Sequence, residues 1–395
     1  MLLPQLKKYH QFFSYLFIAM IVIGGGVVNL KFIQLGIPEF GLVILKLDEI
    51  FVIISIFLLG LSACISCITT GLLMDKFKVS FNQKKILFIF ISISNFLLIF
   101  LTYLVSNQIG YFLWVISFGI DLGILSGISF SFLFYLIPQK KRGIVAAILG
   151  GTMYFIGASM PGDWSFEIFR NQNIMMLPVM AIVLGFFLIF DVFDTDKIEK
   201  NINLKPKYQY NFKTILIVLF LILFIDSFGF LRILGNPIIV ANTWQSTNIF
   251  RIYIGILHLS SALIIGFFYE KLKFFYTSLI SLILFVIADF IIGYFLFSEV
   301  IQYIFPCFYA SAVSVYTIIL MSIFADISTL DNINRNMSIG FGILGLFCTY
   351  LATSISLYLD YISFPFNIHL LIASSIALIS IFAVIFIKLK KKYNK

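Results

Sequence analysis

Apolar runs of about twenty residues, divided by short polar breaks, follow one another along the whole chain. A helix needs roughly 20 apolar residues to cross a hydrocarbon core about 30 Å thick. Runs of that kind fall near 11–30, 49–70, 86–106, 110–137, 143–161, 174–193, 213–233, 250–269, 274–297, 299–325, 336–359 and 367–387, which predicts twelve transmembrane helices. The fourth and tenth are long enough to lie tilted, and the fifth is short. The longer breaks, 31–48, 162–173 and 234–249 on one side and 194–212 on the other, read as loops, and none is large enough for a soluble domain. The first run begins behind Lys7 and Lys8 and extends from about Phe12 to Leu30. It is too long for the apolar core of a secretory signal and no A-x-A-like cleavage site follows, so it reads as the first helix.

Charge orients the chain. With the N-terminus inside and the helices alternating, all but five of the 27 Lys and Arg residues fall on the inner side, the five being Lys31, Lys46, Arg170, Arg232 and Arg251. A missed or invented helix would invert every later loop and scramble this bias. The same bias therefore supports the number of helices and a cell-membrane topology with both termini cytoplasmic. The polar loop 194–212, broken by Pro206, divides the helices six and six. The expected organisation is an N-terminal bundle over 1–193, a cytoplasmic linker over 194–212 and a C-terminal bundle over 213–395.

Composition narrows the function classes. Of the 395 residues 61% are hydrophobic and 11% charged, against about a quarter charged in an average soluble domain. A water-soluble surface cannot be built from so few charges, so the lipid bilayer is the solvent for most of the chain. The net charge of +9 would suit nucleic acid if it formed a patch, but it is spread over short inter-helix clusters, and no nucleic-acid partner is expected. Cys64, Cys67, Cys307 and Cys348 all lie inside apolar runs and read as small packing residues; Cys64 and Cys67 form a C-x-x-C with no His or second pair beside it. His10, His258 and His369 are too dispersed for a metal site. The sequence has no H-E-x-x-H, P-loop or G-x-S-x-G, so neither an enzyme nor a bound cofactor is expected.

The two halves repeat a local pattern. Gly71-Leu-Leu-Met-Asp75-Lys76-Phe-Lys78 follows the second run, and Gly266-Phe-Phe-Tyr-Glu270-Lys271-Leu-Lys273 follows the eighth, 195 positions later. Arg142 and Arg335, after the fourth and tenth runs, stand 193 positions apart, nearly the same register. Inner loops gather lysines in any case, but that does not explain the matched glycine and acid.

Gly71-Leu-Leu-Met-Asp75-Lys76 resembles the G-x-L-x-D-[RK] signature of the major facilitator superfamily, and Pro138-Gln-Lys-Lys-Arg142-Gly143 is similar to the P-x-x-x-R-G often found after the fourth helix there. The resemblance implies an all-α membrane fold of two pseudo-symmetric six-helix bundles. It implies transport of a small molecule by alternating access, with one chain sufficient. With no ATP-binding region, uphill transport would have to draw on an ion gradient or an outside partner. Departures are visible: Lys78 stands where the family has glycine, which predicts a looser turn, and Lys84-Lys85 follow late. The fourth run carries Asp121 and no arginine. The glycines and proline of the fifth, Gly150, Gly151, Gly157, Pro161 and Gly162, are not spaced as in drug/proton antiporters.

By the same resemblance, Gly71, Asp75, Lys76, Arg142, Gly266, Glu270, Lys271 and Arg335 are cytoplasmic gate candidates. Asp75 and Glu270 are the latch acids, with Lys140, Lys141, Arg142 and Arg335 as partners; the alternative is ordinary solvated loop charge. An ionisable group inside an apolar run is costly and is a functional candidate by default. Asp121, Asp226, Asp289 and His258 are such groups, and Arg232 lies near the outer end of its run. The first, fourth, seventh and tenth helices line the cavity in that superfamily. Asp226 and Asp121 are thus substrate or proton candidates, followed by Arg232, His258, Asn29 and Tyr316, and Asp289 is assigned to a supporting helix. Each of these could instead be a buried hydrogen-bonded group with a structural role; Ser126, Ser314 and Thr317 more so. Gly119, Gly123 and Gly127 share one helix face for close packing, with Asp121 about 200° away from it. Gly24-Gly25-Gly26 would soften the first helix. Two other readings stay open: a transport-inactive sensor or interaction protein, favoured by the imperfect signature loop, and a membrane-embedded enzyme on a lipid-linked substrate. The substrate, the direction and the coupling ion, a proton among them, are not legible.

Overall fold

In the computed structural model the described residues are 9–159, 165–189, 193, 206–208, 210–236, 239, 247–269, 271–295 and 299–393. They form helices α1 (His10–Ile44), α2 (Glu49–Lys76), α3 (Phe81–Leu101), α4 (Gln108–Leu136), α5 (Arg142–Ser159), α6 (Phe166–Ile189), α7 (Phe212–Gly235), α8 (Asn248–Phe268), α9 (Phe274–Phe295), α10 (Glu299–Asp326), α11 (Ile333–Tyr361) and α12 (Phe366–Tyr393). No strand occurs among the described residues. Hydrocarbon cannot solvate a backbone, and a helix satisfies its own N–H and C=O groups, which is why apolar runs of this length fold as helices. Eleven of the twelve are long and apolar enough to span a membrane by themselves, and α6 adds 24 residues of helix. Large apolar side chains face outward in stripes at helical spacing, such as Phe90, Ile93, Leu97 and Phe100 on α3. The chain is a multi-pass membrane protein.

Several element boundaries differ from the sequence expectation: α2 runs on to Lys76 and α12 to Tyr393, and three others change the reading of loops and charges. The expected outer loop 31–48 is mostly helix, because α1 continues to Ile44. Mostly apolar residues follow Lys31, broken by Gln34 and Glu39, wider π-type turns occur on both sides of Pro38, and the helix ends only where Lys46 turns left-handed at φ 54°. The expected loop 162–173 likewise gives way to α6, which starts at Phe166. Glu167, Arg170, Asn171 and Asn173 hide this start from a hydropathy reading. Phe166 stacks on Phe40 at 4.6 Å, and its N–H donates to Glu39 of α1 at 3.1 Å, so a carboxylate from another helix caps α6. Finally, α3 starts at Phe81 behind a capping box of Ser80 and Gln83. Lys84 and Lys85 are therefore buried helix residues rather than loop charges, and Lys84 donates to the Tyr135 hydroxyl at 2.8 Å.

The helices gather into two compact units. The first holds residues 1–142, 164–208 and 324–347, so it includes the start of α11 from late in the chain. Its tightest seam is α2 on α4. A Cβ on Gly119 would meet the Leu59 carbonyl at 2.8 Å, one on Gly123 would collide with Ser66 and the Ala63 carbonyl, and one on Gly127 would meet the Cys67 carbonyl at 3.2 Å. The glycine face thus lets two backbones touch. The second unit holds residues 143–163, 209–323 and 348–395, including α5 from early in the chain. There α5 packs on α8, with Gly151 facing Ala262 at 3.0 Å and Gly266 against Ala147 and the Gly143 carbonyl.

Gly123→Leu should therefore lower the melting temperature in detergent by the equivalent of about 1–3 kcal/mol or more, because the seam has no room for it. Gly24→Ala should be close to neutral, since a Cβ there meets nothing within 4 Å. Equal melting temperatures for both variants would contradict the seam.

Candidate functional site

The lysine-rich end of the first unit carries the signature loop. There α2 ends in a Schellman motif: the Val79 N–H donates to Met74 at 3.0 Å and the Lys78 N–H to Asp75 at 3.3 Å. Lys78 occupies the left-handed position at φ 48°. The turn expected to loosen without its glycine is made all the same, at the energetic expense of a side chain in that conformation. This turn presents Asp75 to the N-terminus of α11, where one carboxylate oxygen accepts from Asn334 Nδ2 at 2.6 Å and the other from the Arg335 backbone N–H at 2.8 Å. Asp75 is thus met by a helix terminus and an amide, and Arg335 contributes its backbone. Gly71 is needed one turn earlier, since a Cβ there would run into Ser338 and lie 2.6 Å from the Asn334 carbonyl. Lys76, Lys140, Lys141 and Lys271 are exposed. Glu270 lies outside the described residues, while Gly266 makes its close approach to α5 in the second unit.

Arg142 takes a partner the sequence did not suggest. Its Nη1 donates to Asp326 Oδ1 and to the Ala325 carbonyl, both at 3.0 Å, and its Nη2 to the Phe134 carbonyl at 3.2 Å. Lys207 Nζ lies 3.8 Å from Asp326 Oδ2, and the Lys207 backbone N–H donates to the Asp326 carbonyl at 2.7 Å. The buried Asp326 at the end of α10 joins Arg142 to residues 207–208 of the expected linker. An acid ending an apolar run was its only sequence signal.

A polar cluster occupies the interior of the second unit. Tyr309 and Tyr316 stand seven apart on α10, two turns along one face, and both donate to Asp226 of α7: Tyr309 to Oδ1 at 2.7 Å and Tyr316 to Oδ2 at 2.5 Å. His258 of α8 stacks on Tyr154 of α5 at 4.7 Å, and its Nδ1 lies 3.0 Å from Ser314 Oγ. The Ser314 hydroxyl donates to the His258 carbonyl at 3.1 Å, so the contact is satisfied with the ring hydrogen on Nδ1. Tyr154 pairs with Thr317 at 3.3 Å and also meets Tyr316. Asp289 of α9, 1% exposed, stands beside this cluster. Asp226, His258 and Tyr316 are thus brought together with Ser314 and Thr317. Tyr309 was missed, although its spacing from Tyr316 is the signal that two phenols can reach one carboxylate.

The other candidates sit apart from that cluster. Asp121 accepts from Asn95 of α3 at 3.0 Å, off the glycine face. Arg232 donates to Asp360 at 2.5 Å and to the Phe364 carbonyl at 2.6 Å, which ties the end of α7 to the α11–α12 turn. The side chain of Asn29 lies outside the described residues. All four cysteines are free.

No family model matches the sequence, and no curated protein matches it. Solved structures do. The human organic anion transporter MFSD10 (TETRAN) superposes with a TM-score of 0.64 at 13% identity, over 96% of this chain and 99% of that one. The proton:xylose symporter XylE bound to 6-bromo-6-deoxy-D-glucose, described as a protein of the major facilitator superfamily, gives 0.61 at 13% identity over 96% and 95%. A variant of the Escherichia coli fucose:proton symporter FucP gives 0.60 at 14% identity over 94% and 99%.

If Asp75 acts as a helix cap, Asp75→Ala should cost about 1–3 kcal/mol in a detergent melt, while Arg335→Ala should cost almost nothing. A side-chain ion pair would make the two equally harmful. Separately, Lys78→Gly should raise stability by up to about 1 kcal/mol by relieving the left-handed lysine.

Proposed function

We propose that this chain, which has the major-facilitator fold, is a secondary transporter that moves a small molecule by alternating access, with its cargo site at Asp226. The observation that carries this reading is a carboxylate in the interior of a membrane-spanning unit, gripped by two phenols with no Lys or Arg paired to it among the described residues. An ionisable group at that depth is rarely kept for packing alone. Tyr154, Tyr316, Thr317 and His258 add hydroxyl and imidazole groups within the same cluster, a donor and acceptor set suited to a polar cargo. An anionic cargo suits it poorly, because carboxyls and no cation face it. An uncharged hydroxylated or a cationic molecule fits better. Two of the similar structures are described as sugar–proton symporters and one as an organic anion transporter; from them we take the mode of action and not the cargo.

Asp75 on the N-terminus of α11 and Arg142 on Asp326 are the contacts that would break and reform as the lysine-rich end opens, and we place that end in the cytoplasm of a cell membrane. Each is built from charge-assisted hydrogen bonds, the stronger kind, so a cycle that breaks one must give its charged groups other donors, acceptors or water. A signature loop without its glycine would favour a transport-inactive relative, but Lys78 makes a left-handed turn there without it.

The test is thermal stability of the detergent-purified chain against a panel of sugars, polyols, amines and carboxylates, beside Asp226→Asn. A ligand at a hundred times its dissociation constant should raise stability by about 2.7 kcal/mol. A shift from a neutral or cationic compound that disappears in Asp226→Asn is the expected result. A shift confined to anions, or one kept in full by the variant, would remove Asp226 from the cargo site.

A further inference from the structure

Asp289 has no hydrogen-bonding role in the cluster it adjoins. It is 1% exposed in the middle of α9, and among the described residues neither carboxyl oxygen has a hydrogen-bond partner. Its Oδ1 lies against α7, 4.0 Å from where a side chain on Gly229 would begin. Gly229 is about one turn beyond Asp226, and the two acids interact electrostatically. Asp289 thus faces α7 at ordinary contact distance.

Among the described residues no Lys or Arg pairs with Asp289. From α7 come Asp226 and Arg232, the latter held by Asp360 and the Phe364 carbonyl. From α10 come Tyr309 and Tyr316, both bonded to Asp226. From α5 and α8 come Tyr154 and His258, the latter held by Ser314. The α12 groups are His369, whose Nε2 meets the Phe228 carbonyl at 2.7 Å, and Lys388, which lies over the Tyr276 ring. A bare carboxylate without donors is very costly in such a setting, and two neighbouring bare carboxylates are costlier still. Phenols supply Asp226; no group among the described residues supplies Asp289.

Resting on the transporter reading above, we propose that Asp289 and Asp226 form a coupling-ion site for one proton, held on Asp289 beside the phenol-bonded Asp226. The proton arrives as H⁺ from the water on one side and leaves to the other, so that a carboxyl becomes a carboxylate and nothing else changes.

The readout is the protonated-carboxyl C=O stretch in infrared difference spectra of the purified full chain in nanodiscs, stepped from neutral to alkaline pH. The expected result is a band lost on alkalinisation, absent from Asp289→Asn, displaced in Asp226→Asn and unchanged in Asp121→Asn. A band that survives Asp289→Asn overturns the proposal, and so does one that Asp226→Asn leaves in place. Should Asp289→Asn fail to fold, the Asp226→Asn displacement decides alone. Replacing sodium with choline should leave the band unchanged; a band that appears only without sodium would make the site a sodium site and sink the proton. No cargo is needed for this measurement. A band with these properties in a protein that binds no compound would remove the transporter reading alone, and ligand stabilisation without the band would remove the proton site alone.

Discussion

Hydrocarbon offers no hydrogen bonds, so every polar atom within the membrane must find its partner inside the chain. The helices are the first answer to that constraint, and the hydroxyl residues the second. Ser55, Thr70, Ser92, Ser129 and Ser380 each donate to a carbonyl four residues back on their own helix. Such residues are satisfied on their own helix and need no partner from a neighbouring one.

Helix ends are harder, because the first N–H groups have no intrahelical acceptor. Where the sequence has a polar residue at the start, the cap is local, as with Asp48 before α2, Ser80 before α3 and Asn107 before α4. Two ends draw a cap from a distance: α6 from Glu39 of α1, in addition to its own Ser165, and α11 from Asp75 of α2. A cap drawn from another helix links the helix terminus to the position of that helix. Such a bond can be part of a conformational change in a way that a local cap cannot.

Among the described residues, buried polar atoms without a partner occur in both units, Asn334 Oδ1 and Ser338 Oγ in the first for example, but the second unit carries the costlier case of two interior acids. Asp226 is satisfied by two tyrosines aligned on one face of α10, and among the described residues Asp289 has no donor. Membrane interiors tolerate such groups where the energetic expense is recovered in function. The rest of the unit accommodates them through close packing, with Gly151 against Ala262 and Gly255 against Phe155 holding α5 to α8.

By itself the sequence determined the class of fold, because length and hydropathy of each run are local quantities and hydrocarbon leaves the backbone no alternative to helix. The glycine face of α4, the repeated glycine and acid at Gly71 and Asp75 and the buried acids were all legible as a pattern, as spacing and as charge in apolar surroundings. It misplaced the ends of α1, α3 and α6, where polar residues are absorbed by packing: Lys84 by Tyr135, Arg170 by Tyr103 and the Phe166 N–H by Glu39. Partners were decided only by the tertiary structure. Arg142 meets Asp326, 184 positions away, and Asp75 meets the backbone of Arg335, 260 positions away. A hydrogen bond depends on where two helices meet and in what rotation, and no local pattern along one chain carries either.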